Sequence, residues 1–466
     1  MDLISLISFS LISIAVIFYY LLPAKYRPFL LIMTSAFAYF KIAGLGMLLV
    51  QYGVIGTTYW LGKKISETED NDERKRWFYL ASAIALIPLI FFKYLFGLMP
   101  EGMLDDGLFK YIIVPLGVSY YSFMIIGFLV DLYNEEQEEV PLLKYYAAFI
   151  GFFPLTLSGP IERTDGFLKQ LIEHPKFNPD HIKFGVKLIL WGCFLKLVMA
   201  DRLSIYVNAV YKNIESHDSL TLAFTSLLYP FQVYGDLGGY TLIVRGVAKL
   251  FGFDIVRNFH RPFMAQSVAG FWRRWHMSLI NWLRDYMFTP LAFYFRSMGN
   301  KGSILSLVIT FVLSGIWHGM ELKYLLWGVF HSILLAIELL FSKRSFGSAL
   351  ENRKKVNVLR FIFNAVLVYV LFSISQVFVR VEDLTELKLF ATRLIHFGGL
   401  YLDKTTLVFA AIGIFVVFLR DVFGEFFTTP KWMKSNPFHI LEFSFLFVSI
   451  LLLGIIDDSN FIYFQF

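Results

Sequence analysis

Between Phe271 and His331 the chain concentrates side chains that can move protons and hold charge. The stretch opens Phe271-Trp272-Arg273-Arg274-Trp275-His276-Met277-Ser278 and passes through Trp282-Leu283-Arg284-Asp285-Tyr286. It then reaches Ser314-Gly315-Ile316-Trp317-His318-Gly319 and closes on Leu326-Trp327-Gly328 and His331. His318 lies inside the apolar run 304–326, with Trp317 before it and Gly319 after it. Imidazole has the side-chain pKa nearest neutrality, which suits it to general base work. An ionisable group at membrane depth is costly and usually faces a cavity. The same residue also reads as a buried histidine hydrogen-bonded within a helix bundle. His276 either pairs with a carboxylate such as Asp285 or caps an interfacial helix. Arg273 and Arg274 suit the phosphates of a nucleotide-bearing donor, or else snorkel to lipid headgroups. Asp236, in Tyr234-Gly235-Asp236-Leu237-Gly238-Gly239-Tyr240, reads as an acid in a helix break, either an N-cap or a reacting group. His331 reads as structural.

The elements that must position these groups are membrane helices. Hydrophobic residues make up 57% of the chain and charged residues 17%, where a soluble domain is about a quarter charged. The 52 Phe and 25 Tyr fit aromatic belts at headgroup level. A net charge of +6 with no basic tail fits cytoplasmic loop lysines and arginines better than nucleic-acid binding. The single cysteine, Cys193, permits neither an internal disulfide nor a cysteine metal cluster, and no metal is expected. The start Met1-Asp2-Leu3 lacks a basic region and a small-residue cleavage site, so it does not read as a cleavable signal.

Apolar stretches long enough to span give an expectation of roughly eleven transmembrane helices. They include 3–22, 44–62, 77–99, 111–133, 184–200, 304–317, 324–341, 359–378, 405–419 and 438–456, with shorter runs at 28–42 and 146–157. Runs 220–234 and 240–253 are separated by Gly235–Gly239, which reads as a break. Lysines and arginines in the short loops place both termini outside the cytoplasm. Segment 381–404, amphipathic around Leu384, Leu387 and Phe390, reads as lying on the outer surface. Short, interrupted segments line protein or a cavity, not lipid. They cluster between 146 and 331 with Ser158, Glu162, Arg163, Gln232, Tyr240, Arg245, Asn258, Arg261 and Glu321, which predicts one central polar cavity. The fold class is therefore an all-α polytopic membrane protein, read as one integral-membrane domain over 1–466. No internal repeat is visible, which weighs against inverted-repeat transporters.

Several blocks resemble the membrane-bound O-acyltransferase (MBOAT) superfamily, in the bacterial AlgI/DltB-like branch of alginate O-acetylation and teichoic-acid D-alanylation. They are Pro115–Tyr121 with Asp131-Leu132-Tyr133, Ser158-Gly159-Pro160-Ile161-Glu162-Arg163, the Tyr234–Tyr240 segment, Asn258-Phe259-His260-Arg261-Pro262-Phe263, Phe271–Ser278 with Trp282–Tyr286, and Ser314–Gly319 with Trp327-Gly328. Together they cover about residues 110–335. The chain departs from the pattern at Gly235, where relatives more often carry a large residue before the aspartate. The resemblance implies a ring of tilted helices around a thin funnel, with a tunnel that lets an acyl donor enter from the cytoplasm. It makes His318 the superfamily histidine and His276 the second histidine of the branch. The chain's ending, Phe461-Ile462-Tyr463-Phe464-Gln465-Phe466, is similar to the aromatic motif of the small peptide that works beside DltB, which implies Tyr463 as an acyl carrier. Composition alone reads that ending as an interfacial aromatic belt.

The activity implied is O-acetyl transfer to an exported cell-surface polysaccharide, across the cytoplasmic (inner) membrane of a bacterium. The donor would be acetyl-CoA, no cofactor would be bound, and an extracytoplasmic SGNH-type transferase would complete the transfer. Thioester-to-hydroxyl transfer needs a base for the hydroxyl proton and a donor for the developing oxyanion. His318 suits the first role; His276, a tryptophan N–H or an arginine suits the second. No Gly-x-Ser-x-Gly element occurs, which leaves serine-hydrolase chemistry unsupported. Two rival readings are D-alanyl transfer from a carrier protein and a transporter or flippase without acyl chemistry.

Overall fold

The computed structural model describes residues 6–95, 117–137, 139–341, 357–428 and 430–455. Its described elements are helices, joined by turns and short loops, with no strand among the described residues. Among the described residues, seven helices are long and apolar enough to cross a membrane: Ala24–Glu67, Asn71–Leu95, Asn300–His318, Leu322–Phe341, Val358–Arg380, Lys404–Phe426 and Asn436–Leu453. Ile7–Leu21 and Val118–Tyr133 are shorter apolar helices. An all-helical chain is what lipid demands, because a helix satisfies its backbone polar groups within its own segment. The two runs expected at 28–42 and 44–62 form one element, Arg27–Glu67, kinked at Gly44, whose φ of 80° is non-helical. The short run at 146–157 breaks at Phe152 into Leu143–Gly151 and Phe153–Ser158.

The chain forms two compact units, one built on Met1–Ile189 and Tyr240–Arg257, the other on Leu190–Gly239 and Asn258–Ile462. In the first, the rings of Tyr19, Phe152, Phe167, Phe251 and Phe253 pack mostly edge to face. The Tyr240 hydroxyl takes the Ser158 N–H and donates to the Pro154 carbonyl, each at 3.3 Å. The Glu162 carboxylate accepts the Val256 N–H at 2.6 Å. Burial lifts the Glu162 carboxyl to about 7, against the pull of that hydrogen bond.

In the second unit the expected break at Gly235–Gly239 is absent. The Ser219–Leu250 helix runs straight through it, and Asp236 is a mid-helix residue, not an N-cap. The glycines serve packing instead. A Cβ on Gly239 would lie 2.8 Å from the Gly192 carbonyl, and one on Gly235 would lie 2.8 Å from that of Leu195. Small residues at this spacing let two backbones approach, and the approach presents Lys196 to Asp236. Lys196 Nζ lies 2.6 Å from Asp236 and 2.9 Å from Asp201, with all three side chains at most 4% exposed. Lys196 belongs to a π-helical stretch, Phe194–Ala200, that follows the Pro179–Cys193 helix.

This buried triad yields a stability prediction. Lys196→Met leaves two carboxylates facing each other without their cation and should cost about 3–5 kcal/mol. Asp236→Asn keeps the Lys196–Asp201 pair and should cost less. Thermal unfolding of the purified protein in detergent ranks the two; equal stability of Lys196→Met and wild type would show that the triad does not hold the helices.

Candidate active site

His318 is the last residue of the Asn300–His318 helix. Gly319 follows in an extended conformation and donates its N–H to the Gly315 carbonyl at 3.2 Å, which ends the helix there. The imidazole is half-buried. It lies against Trp317 at a ring-centroid distance of 4.6 Å, edge to face with Trp327 at 5.1 Å, and nearly parallel to Tyr324 at 6.3 Å. Tyr324 and Trp327 come from the next helix, Leu322–Phe341. Its backbone reaches the His318 helix because both helices carry glycine at the crossing. A Cβ on Gly315 would collide with the Tyr324 carbonyl, and one on Gly328 with the Phe311 carbonyl.

One turn beyond Trp327, on the same helix face, stands His331. It is 2% exposed, and its ring lies 4.9 Å from Trp327 and 4.8 Å from Trp272. Trp272 belongs to the short helix Val268–Trp272, whose N-cap Ser267 accepts the Gly270 N–H at 3.0 Å. The Glu338 carboxylate accepts the Ala269 N–H at 3.1 Å and ties that helix to the Leu322–Phe341 helix.

His276 precedes the Met277–Leu283 helix with φ 45° and ψ 47°, a left-handed backbone unusual for a residue with a side chain. Asn258 fixes this corner. Its carbonyl accepts the Met277 N–H at 2.9 Å, and its side-chain oxygen accepts the Ser278 N–H at 3.2 Å and hydroxyl at 2.9 Å. The imidazole is 3% exposed. A string of rings leads from it through Phe259 and Trp275 to Phe372, Trp272 and His331.

The other expected site residues divide. Trp317 joins His318. Arg273 is exposed. Arg274 makes a two-point pair with Glu425 at 2.9 and 3.1 Å, and Arg261 reaches the same carboxylate at 3.4 Å. Asp285 takes the neighbouring Arg284 at 2.6 and 3.0 Å. Asp236 is held by Lys196 in the triad, and Tyr463 lies outside the described residues. Two partners escaped the sequence reading. Glu425 sits at the end of an apolar run far along the chain, with no local signal linking it to Arg274. The grouping of His331 with Trp327 was recoverable from their four-residue spacing.

Burial holds the His276 imidazole down to about 4 from the ordinary 6.5. Between those values the unfolded chain takes up a proton that the native residue refuses. The His276 contribution to stability is therefore full above about pH 6.5 and is lost as pH drops toward 4, a loss on the order of 2–3 kcal/mol. His276→Gln should flatten that part of the acid limb, measured as melting temperature in detergent at pH 7 and pH 5. An unchanged pH 7-to-5 difference would assign the acid sensitivity to other groups.

Residues 118–380 match the profile of MBOAT, the membrane-bound O-acyltransferase family. Across 96% of both sequences the chain is 28% identical to a probable alginate O-acetylase of Pseudomonas putida. It is 26% identical to a peptidoglycan O-acetyltransferase of Helicobacter pylori, over 72% of this chain and 69% of that protein. It is 28% identical to a teichoic acid D-alanyltransferase of Bacillus subtilis, over 49% of this chain and 60% of that one. The matched region contains both histidines, the arginine pair and the aromatic string between them. With seven helices able to cross a membrane, this chain is a multi-pass acyltransferase of the membrane-bound O-acyltransferase family.

Proposed function

We propose that this protein moves an acetyl group from acetyl-CoA on the cytoplasmic side of a bacterial inner membrane toward O-acetylation of an extracytoplasmic polysaccharide. The observation that carries the reading is the accessibility of His318. It is half-buried at a helix end among Trp317, Tyr324 and Trp327, whereas His276 and His331 are 3% and 2% exposed. The acetyl name of the relative matched over nearly its whole length supports acetyl over D-alanyl transfer.

In this reading His318 takes the proton of the acceptor hydroxyl as its oxygen attacks the thioester carbonyl. The tetrahedral intermediate collapses, the C–S bond breaks, and the same proton passes to the departing thiolate. An ester replaces a thioester, so no redox partner is required. His276, uncharged at neutral pH because it is buried, is linked to His318 only through the intervening string of rings and takes no proton in this scheme. With Arg274 committed to Glu425, Arg273 is the arginine assigned to the donor's phosphates. Tyr463 is the first acceptor, passing the acetyl group to an SGNH-type partner outside, with both termini on that side.

Intact-protein mass spectrometry after incubation with acetyl-CoA tests the scheme. An acetyl-sized adduct on Tyr463 is expected in wild type and absent from His318→Ala and Tyr463→Phe. An adduct that persists in folded His318→Ala would remove His318 as the base. An adduct formed only from a charged D-alanyl carrier would move the assignment to D-alanyl transfer. Unacylated protein with either donor, together with normal acylation of the cell's polysaccharide by the His318→Ala strain, would favour a transporter.

A further inference from the structure

The group around His331 contains polar edges that the fold does not use. Both ring nitrogens of His331 and the indole nitrogens of Trp272 and Trp327 are buried without a hydrogen-bond partner among the described residues. The residues themselves are 2%, 6% and 5% exposed. Their rings are mutual neighbours, with centroids 4.8 Å apart for Trp272 and His331, 4.9 Å for Trp327 and His331, and 5.8 Å for Trp272 and Trp327. Phe311, Phe330 and Phe372, which also pack on them, offer no acceptor. Buried polar groups are nearly always satisfied, and an exception calls for an explanation. A purely apolar ring would leave no unsatisfied edge there, so these polar edges cost stability where they stand.

The chemistry of the group narrows what it would bind. An indole N–H only donates, and a neutral imidazole donates through one nitrogen. The ring group carries no fixed positive charge, so it suits an oxygen acceptor that is neutral in the ground state. Donors fixed in a dry site gain most when that oxygen becomes negative during reaction. Trp327 belongs to this group and also packs edge to face on His318 at 5.1 Å.

We propose that Trp272, Trp327 and His331 form the donor pocket for the carbonyl oxygen of the transferring acyl group, beside the base His318. The inference rests on the acyl-transfer role of His318 proposed above. As the hydroxyl oxygen adds to the carbonyl carbon, the C=O pair moves onto oxygen, and these N–H groups hold the resulting oxyanion. When the carbonyl re-forms the thiolate leaves, and no proton is exchanged with the pocket.

The test uses full-length protein in proteoliposomes, reading thiol release from acetyl-CoA as a single turnover that ends with the acetyl group on the protein, its rate constant taken as kcat, for Trp327→Phe, Trp272→Phe, His331→Phe and His331→Gln. Loss of one such donor is expected to lower kcat roughly 100-fold. KM for acetyl-CoA and the pH at half-maximal rate should stay as in wild type, because base and donor contacts are intact. Melting temperatures of the phenylalanine variants should be unchanged or higher, and His331→Gln, which keeps an N–H, should recover part of the rate. Wild-type kcat in all the phenylalanine variants would overturn the proposal. So would a rate loss that tracks a fall in melting temperature, which marks a packing role. His318→Ala separates the two readings: inactive His318→Ala beside fully active ring variants sinks only the donor pocket, whereas active His318→Ala sinks the base assignment on which it rests.

Discussion

The close approach of two helix backbones at Gly315 and Gly328 is the contact on which the site depends. There, a side chain on either residue would run into a carbonyl of the facing helix. In lipid, apolar surface gives helices little reason to associate, so contact between backbones and the fit of side chains around it must supply the attraction. Holding the helices this near puts Trp327 against His318 and, one turn on, His331 against Trp272. A wider crossing would separate the imidazoles from the indoles that shape their surroundings.

Charge inside the second unit is handled by pairing. Lys196 is shared by two aspartates, Arg274 and Arg261 share Glu425, and Arg284 is neutralised by its neighbour Asp285. Each arrangement places a cation within hydrogen-bonding reach of a carboxylate; for the Lys196 triad, at most 4% exposed, this is how a low-dielectric interior tolerates ions. The aromatic group around His331 follows the opposite rule. It is neutral, and its polar edges have no partner among the described residues. On the proposal above, that contrast between compensated charge and uncompensated dipoles separates what holds the helices from what is available for chemistry.

Membership in the membrane-bound O-acyltransferase family gives this arrangement its context. The relatives' names span alginate, peptidoglycan and teichoic acid, acceptors of quite different structure. The part of such a site that recognises an acyl group can remain constant while the acceptor changes. An imidazole reachable from outside its helix, beside indole rings, is suited to the constant part, because an acyl carbonyl is what acetyl and D-alanyl transfer have in common.

Composition and periodicity alone determined that this chain is helical and crosses a membrane repeatedly, because spans are written as long apolar runs that no other element can satisfy in lipid. The sequence motifs also singled out His318 and His276. Three things were decided only by tertiary structure. Gly235–Gly239 reads locally as a break, yet the helix continues, because those glycines answer to a neighbouring backbone and not to a turn. Arg274 and Glu425 are 151 residues apart, and nothing local to either predicts their meeting. His331 looked structural as a lone histidine in an apolar run; its unpartnered nitrogens became visible only once Trp272, from a different helix, was packed against it. Local pattern sets which residues prefer the bilayer, but which polar groups remain unsatisfied depends on every neighbour that folding brings near.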